Sequence, residues 1–268
     1  YGADGEKAGF LTPDQYNGLK PHQIQGIEAV FKQKRLVLAH TMGAGKTLSI
    51  IRSIQATSNH INQKHHRAAT EAPDIVKTLL ICPMNVMENW RQQMQYWNFG
   101  QTVFQWRSGD DIEQEKRIWK QNIENIVIMC NFELIRRSDG KPGSRGPFEF
   151  FKDSPPHTVV IDEMQLTFGT GKHQTNTFKS VKELCSSNHI QYVIGASGTG
   201  VKNNMAGIMN AYKILNRKFL VNSDEEYNKL FTPTSIADET KNALQSFEKQ
   251  NIRKFIQNYK REPNETES

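Results

Sequence analysis

Between residues 35 and 197, short apolar runs alternate with longer amphipathic segments. The apolar runs lie at 35–39, 77–82, 125–130, 157–162 and 191–197. The amphipathic segments carry apolar residues at helical spacing and lie at 22–32, 46–57, 86–97, 112–122 and 175–186. Strands that alternate with helical patterns indicate βαβ units, in which a helix connects two parallel strands. The sequence therefore predicts an α/β fold with a doubly wound, mainly parallel sheet, which binds ligands at the carboxyl ends of its strands.

The other segments complete this expected fold. Residues 102–106, TVFQW, predict one further strand. The stretch 58–74 is polar and lacks periodicity, and 138–156 is rich in Gly, Pro and Ser, so both are predicted to be surface loops or disordered. Beyond Asn204 the apolar runs stop. Helices are predicted there at Met205–Leu215, Asp224–Phe231 and Ala237–Tyr259.

Composition excludes some functional classes. No apolar run approaches the roughly 18 to 20 residues that cross a membrane, so no membrane partner is expected. The three cysteines stand far apart and are expected to be reduced, and the adjacent His65 and His66 lack neighbouring ligands, so no zinc site is predicted. A net charge of +6 is mild and is by itself weak support for a nucleic-acid partner.

The stretch AHTMGAGKTLS, at residues 39–49, directly follows an apolar run. A phosphate-binding loop needs a strand, a glycine turn, a lysine and a hydroxyl at a helix start. Gly43 and Gly45 permit the turn, Lys46 supplies the charge, and Thr47 opens the next helix as a metal ligand; His40 replaces the usual first glycine. The alternative is an incidental glycine turn. The residues assigned to nucleotide binding are Met42, Gly43, Ala44, Gly45, Lys46, Thr47 and Leu48, of which Lys46 is also assigned a catalytic role.

A second acidic strand end is expected in such a site, and HTVVIDEMQ provides it. Asp162 is predicted to bind Mg²⁺, and Glu163 is predicted to polarise the attacking water. The alternative is that two carboxylates at a strand end belong to a solvated turn.

In this order the motifs resemble those of the Swi/Snf-type ATPases of helicase superfamily two, over roughly Gly18 to Phe231. HTMGAGKT resembles the family's DEMGLGKT, and LKPHQIQGIEAV resembles the segment in which a Gln, here Gln23, reads the adenine edge. LLICPMNVMENW and IVIMCNFELIRR resemble segments that contact the nucleic-acid backbone, which assigns that role to Pro83, Asn85 and Asn131. GASGTGVKNN resembles the loop that senses the nucleotide state, assigned here to Ser197, Gly198 and Thr199.

The acidic box departs from the family pattern. It reads DEMQ where the family has DEAH or DEGH, so Gln165 stands at the position that links the γ-phosphate to the sensing loop. The property placed in question is the coupling between hydrolysis and motion. A nucleotide-binding scaffold that has lost hydrolysis is therefore one alternative function. A strand-separating helicase or a viral-type nucleoside triphosphatase of the same superfamily is another.

The resemblance implies a domain organisation. Residues 1–17 form an N-terminal extension, 18–231 a RecA-like P-loop NTPase lobe, and 232–268 a helical segment that leads towards a second RecA-like lobe. The implied function is ATP-dependent DNA translocation of the chromatin-remodelling type, with ATP and Mg²⁺ as cofactors. The implied partners are double-stranded DNA and nucleosomes or other DNA-bound proteins, in the nucleus if the source is eukaryotic. Because the second lobe supplies arginine fingers, residues 1–268 alone are expected to be nearly inert.

Two tryptophans stand at helical spacing in the segment after the second apolar run. Trp90 and Trp97 are predicted to pack in the core rather than to stack on bases, because aromatic stripes on helices usually face the core.

Overall fold

A computed structural model describes residues 11–40, 43–67, 75–107, 117, 119, 125–136, 147–168, 175–198 and 205–215. In this part of the chain, six parallel strands form one sheet in the order β1-β6-β5-β2-β4-β3. The strands are β1 (Arg35–Leu38), β2 (Lys77–Ile81), β3 (Thr102–Gln105), β4 (Ile126–Cys130), β5 (Thr158–Ile161) and β6 (Tyr192–Ala196). The predicted parallel sheet is confirmed, including its additional strand at 102–106.

Helices cover both faces of the sheet. They are α1 (Pro13–Tyr16), α2 (Pro21–Gln33), α3 (Lys46–Arg67), α4 (Met87–Tyr96), α5 (Phe132–Ile135), α6 (Pro147–Asp153), α7 (Asn176–Ser186) and α8 (Met205–Leu215). Side chains of α2, α3 and α4 share one apolar core with the sheet, and side chains of α5 to α8 share the other. Alternate residues of β2 show the division, since Leu79 belongs to one core and Leu80 to the other. This is the doubly wound arrangement.

The prediction of a loop over residues 58–74 is wrong for its first part. Helix α3 is 22 residues long and continues to Arg67. A polar residue hid this continuation, because Ser58 is fully buried together with the apolar Ile61. Just before it, the buried Thr57 hydroxyl donates to the carbonyl of Ile54 at 3.0 Å. Because hydroxyls can bond back to their own helix, a buried helix face need not read as apolar.

The prediction for residues 138–156 is also partly wrong. Residues 147–153 form α6, which begins at a proline, a residue tolerated in the first turn because it lacks only a free N–H there. Phe148, Phe150 and Phe151 of this helix are buried, and the rings of Phe150 and Phe151 pack against Trp106 and Trp119. Aromatic packing therefore holds a segment whose Gly and Pro content predicted a loop.

The remaining helix predictions divide in two. The helix at Met205–Leu215 is confirmed as α8. The helices predicted at 224–231 and 237–259 lie outside the described residues, as does most of the one at 112–122. None of the helices in the described ranges is long and apolar enough to cross a membrane.

Candidate nucleotide-binding site

The predicted phosphate loop connects β1 to α3 at the carboxyl edge of the sheet. Gly43 has φ 82° and Gly45 has φ 75°, a left-handed conformation that only glycine adopts without strain. The first backbone bond of α3 runs from the N–H of Ser49 to the carbonyl of Gly45 at 3.2 Å. The N–H groups of residues 46–48 therefore precede the first helical bond and are available to donate hydrogen bonds to an anion. Met42, assigned to the same loop, lies outside the described residues.

Lys46, the first residue of α3, closes the loop. Its Nζ donates to the carbonyl of His40 at 3.4 Å, so the ammonium group spans the loop to the end of β1. The charge of Lys46 also lowers the pKa of Asp162, one of the smaller influences on that group. Lys46 and Asp162 both lie beyond the carboxyl ends of strands of the one sheet, β1 and β5, between which β6 is placed; their shared role in a site stays a prediction.

Asp162 directly follows β5 and both of its carboxylate oxygens are held. Its Oδ2 accepts a hydrogen bond from the indole N–H of Trp90 at 2.8 Å, and its Oδ1 accepts one from the N–H of Glu163 at 2.9 Å. Burial raises the pKa of Asp162, and the bond from Trp90 opposes this rise. The carboxylate is thus fixed in orientation before any ligand arrives.

Glu163 adopts an unusual backbone conformation. Its φ of 48° lies in the left-handed region, which costs a non-glycine residue free energy and is concentrated at functional sites. The residue begins a 3₁₀ turn over Met164–Thr167, and the N–H of Leu166 donates to its carbonyl at 2.8 Å. The side-chain amide of Gln165 donates to the Glu163 carboxylate.

Gln23, predicted to read adenine, lies against the phosphate loop. It is 4% exposed, its Oε1 accepts from the N–H of Lys20 at 2.8 Å, and its Nε2 donates to the carbonyl of Gly45 at 3.2 Å. The structure places Gln23 beside the loop, and its contact with adenine stays a prediction. Adjacent His22 was missed by the sequence analysis: its Nε2 lies 2.8 Å from the carbonyl of Ala44. The PHQ stretch itself was the available signal.

His40 takes the place of the first glycine of the phosphate-loop pattern. Its buried ring lies edge-on to the ring of His22, with 5.4 Å between centroids. Burial lowers the pKa of His40 to about 4, and the charges of His22 and Lys46 contribute to the same direction. His40 is therefore neutral at physiological pH and adds no charge to the loop.

The predicted nucleic-acid residues occupy different environments. Pro83 precedes a 3₁₀ turn over Met84–Val86 at the carboxyl end of β2, and Asn85 within that turn is exposed. Asn131 is 3% exposed, and its Oδ1 accepts from the N–H of Leu134 at 3.0 Å, which caps α5. The turn at 83–85 is open to a partner, whereas the Asn131 side chain has a structural role.

The predicted sensing residues follow β6, the neighbour of β5. The N–H of Ser197 donates to the carbonyl of Leu38 at 3.3 Å, and its buried hydroxyl has no hydrogen-bond partner among the described residues. Among the described residues, the buried side-chain Oε1 of Gln165 also has no hydrogen-bond partner. Gly198 follows Ser197, and Thr199 lies outside the described residues.

Two known proteins are similar to this chain in sequence. "DNA excision repair protein ERCC-6-like" of Danio rerio is 24% identical over 195 residues, which are 71% of this chain and 12% of that protein. "Probable global transactivator" of Orgyia pseudotsugata multicapsid polyhedrosis virus is 32% identical over 176 residues, which are 63% of this chain and 30% of that protein. The chain thus spans a minor part of these relatives.

A solved structure titled "Sulfolobus solfataricus SWI2/SNF2 ATPase core in complex with dsDNA" matches with a TM-score of 0.62 and 24% identity. The match covers 92% of this chain and 45% of that one. It confirms the RecA-like fold. The sequence model of the SNF2-related domain matches residues 22–262. Because this match covers most of the 268 residues, the chain belongs to the SNF2-related domain family.

Proposed function

We propose that this chain is the ATP-binding lobe of an ATP-dependent DNA translocase of the chromatin-remodelling type. The observation that carries the proposal is the meeting of two motifs at one edge of the sheet. A loop with two left-handed glycines and Lys46 follows the carboxyl end of β1, and the partly buried Asp162 follows the carboxyl end of β5 in the same parallel sheet. This pairing of a cationic phosphate loop with an acidic strand end is what phosphoryl transfer uses.

The donors in this site fit a nucleoside triphosphate with Mg²⁺. The N–H groups of residues 46–48 and the Lys46 ammonium would bind phosphate oxygens, with Gln23 on the adenine side. Thr47 and Asp162 would bind Mg²⁺, an ion that prefers one or two protein oxygens together with substrate phosphates. Bound Mg²⁺ would neutralise charge on the transferring phosphoryl group. Glu163, which directly precedes the 3₁₀ turn, would orient water for attack.

Three observations support double-stranded DNA as the partner. The Sulfolobus solfataricus core that shares this fold was solved with double-stranded DNA. The chain carries a net charge of +6, and the turn at residues 83–85 exposes Asn85 at the same edge as the nucleotide site. Contacts of this kind would bind the phosphate backbone and carry no sequence information. Nucleosomes or other DNA-bound proteins are the proposed substrates of the whole protein.

A second lobe is proposed to complete the motor. This chain covers 45% of the Sulfolobus solfataricus core, which leaves room for a lobe of similar size. Such a lobe would supply arginine fingers, whose effect where they have been dissected is about 10³ to 10⁵ in rate. Gln23, Lys46 and Asp162 would then bind the nucleotide and Mg²⁺, and Glu163 would orient water. The second lobe would balance the remaining charge on the transferring phosphoryl group.

One observation favours a second candidate, a nucleotide-binding scaffold without hydrolysis. The side-chain amide of Gln165 donates a hydrogen bond to the carboxylate of Glu163, the residue proposed to orient water. A carboxylate engaged in this way has one lone-pair direction fewer with which to hold water. The two candidates agree on nucleotide binding and differ in turnover.

The test removes the cation of the loop in the full-length protein. Lys46→Ala should weaken ATP binding at least tenfold by calorimetry, because the triphosphate loses a charge-assisted contact. Lys32→Ala, which removes an exposed lysine from α2, is the matched control and should bind as the parent does. Equal ATP affinity in the Lys46 variant would refute the phosphate-loop assignment. Phosphate release by the parent with and without duplex DNA then separates the motor from the scaffold.

A further inference from the structure

The indole of Trp90 contacts the proposed metal ligand from across the core. Trp90 lies in α4, is 3% exposed, and packs with Met87 and Met94 against the sheet. Its Nε1 donates to Oδ2 of Asp162 at 2.8 Å. The predicted core packing of Trp90 is therefore confirmed, but one edge of the ring leaves the core and reaches the site.

The two donors on Asp162 act together. Trp90 binds Oδ2 and the N–H of Glu163 binds Oδ1, so the carboxylate cannot rotate without breaking a bond. A carboxylate offers about four lone-pair directions, of which these donors take two. The remaining directions stay open for a cation. An indole N–H only donates and does not titrate in water, so it restrains the ligand without competing for a metal.

The neighbouring tryptophan shows that indole burial on this helix does not require a carboxylate. Trp97, the C-cap residue directly after α4, is partly buried against the same core, and its Nε1 donates to Oε1 of Gln93 at 3.2 Å. That acceptor belongs to the helix itself. The two residues therefore form a matched pair: both pack on one core and both donate, but only Trp90 donates to a proposed ligand.

We propose that Trp90 is a positioning residue that orients the Asp162 carboxylate for Mg²⁺. The inference rests on the proposed function, because it needs Asp162 to be a metal ligand. Partners that fix a metal ligand by a hydrogen bond are typically worth about 10- to 100-fold in metal affinity. A role limited to packing would lower the stability of the chain and leave the dependence of nucleotide binding on Mg²⁺ unchanged.

The experiment compares Trp90→Phe with Trp97→Phe in the full-length protein. Calorimetry measures ATP affinity in saturating Mg²⁺ and in EDTA, and a Mg²⁺ titration at fixed ATP gives the apparent Mg²⁺ affinity. Trp90→Phe should weaken the apparent Mg²⁺ affinity at least about tenfold, with ATP affinity in EDTA unchanged. Trp97→Phe should leave both values at those of the parent. An unchanged Mg²⁺ affinity in folded Trp90→Phe would overturn the inference.

A double variant tests whether Trp90 acts through Asp162. In Asp162→Asn, the added change Trp90→Phe should cost no further Mg²⁺ affinity, since the carboxylate that Trp90 orients has already been removed. An additive loss would overturn the proposed route. If Trp90→Phe does not fold, 3-benzothienylalanine at position 90 replaces the N–H by sulfur while it keeps the ring shape, and the same loss is expected.

The parent protein separates this inference from the proposed function. If the parent binds ATP no better in Mg²⁺ than in EDTA and releases no phosphate, then the proposed function fails, and the inference fails with it. If the parent shows Mg²⁺-dependent binding and Trp90→Phe shows the same dependence, then only the role of Trp90 fails.

Discussion

Gln165 donates its side-chain amide to the carboxylate of Glu163, within the 3₁₀ turn that follows β5. The contact joins the position at which the acidic box departs from the family pattern to the residue proposed to orient water. It is local, because the turn brings the two side chains together after a single intervening residue, Met164. The orientation of the Glu163 side chain is therefore set partly by Gln165.

Glu163→Gln should separate binding from turnover. The variant keeps the phosphate loop and Asp162, so the full-length protein should bind ATP with parental affinity. Phosphate release should fall by at least about a hundredfold, the scale of a lost positioning base. Calorimetry and DNA-stimulated phosphate release measure the two quantities. Turnover at the parental rate would assign the water to another residue.

Gln165→Glu should impair hydrolysis through charge. The substitution conserves shape but replaces the donor with a carboxylate, and two like charges in contact repel each other. Displacement of Glu163 should lower phosphate release between about ten- and a hundredfold, the scale of a misplaced catalytic group. Gln165→Met, which removes the donor and adds no charge, is the control and should lose less. Equal losses in both variants would mean that the contact, not the charge, is what matters.

His40 should make the stability of the chain depend on pH. Its pKa is about 4 in the folded chain, through burial and then through His22 and Lys46, against an ordinary value of 6.5. Between pH 7 and 5 the unfolded chain binds a proton at this position and the folded chain does not. The free energy of unfolding should therefore fall by about 2 kcal/mol over this range. Urea unfolding at each pH, compared with His40→Asn, isolates the contribution; a parallel decline in the variant would exclude His40 as its source.

Gly195→Ala should destabilise the junction between β6 and the acidic box. A methyl group at Gly195 would overlap the sulfur of Met164 and lie 3.2 Å from Cγ2 of Val37. Met164 is 1% exposed, so overpacking should cost about 1 to 3 kcal/mol in urea unfolding. Met164→Ala alone leaves a cavity and should cost about 2 to 5 kcal/mol. The double variant should cost less than the sum, and strict additivity would show that the two side chains do not share this space.

The sequence predicted those parts of the fold and site that depend on neighbouring residues. The strands, the glycine loop and Asp162 are each specified by short local patterns, and these patterns place Lys46 and Asp162 after strands of the one parallel sheet. The bond from Trp90 to Asp162 was not predictable, because it joins residues 72 positions apart and depends on how α4 packs. The continuation of α3 was missed because polar Ser58 occupies a buried position on the helix. Gln23 was assigned to adenine, and its bond to Gly45 became visible only with the fold.

The order of the strands also sets when the loop can be placed during synthesis. β1, which leads into the phosphate loop, pairs with β6, so Arg35 can pair with Val193 only after that residue has been synthesised. At about 5 to 20 residues per second, a ribosome needs on the order of ten to thirty seconds to make the intervening stretch. Long-range parallel pairing is also slow to form. Of the six described strands, β1 is therefore synthesised first, yet the one strand with which it pairs, β6, is synthesised last.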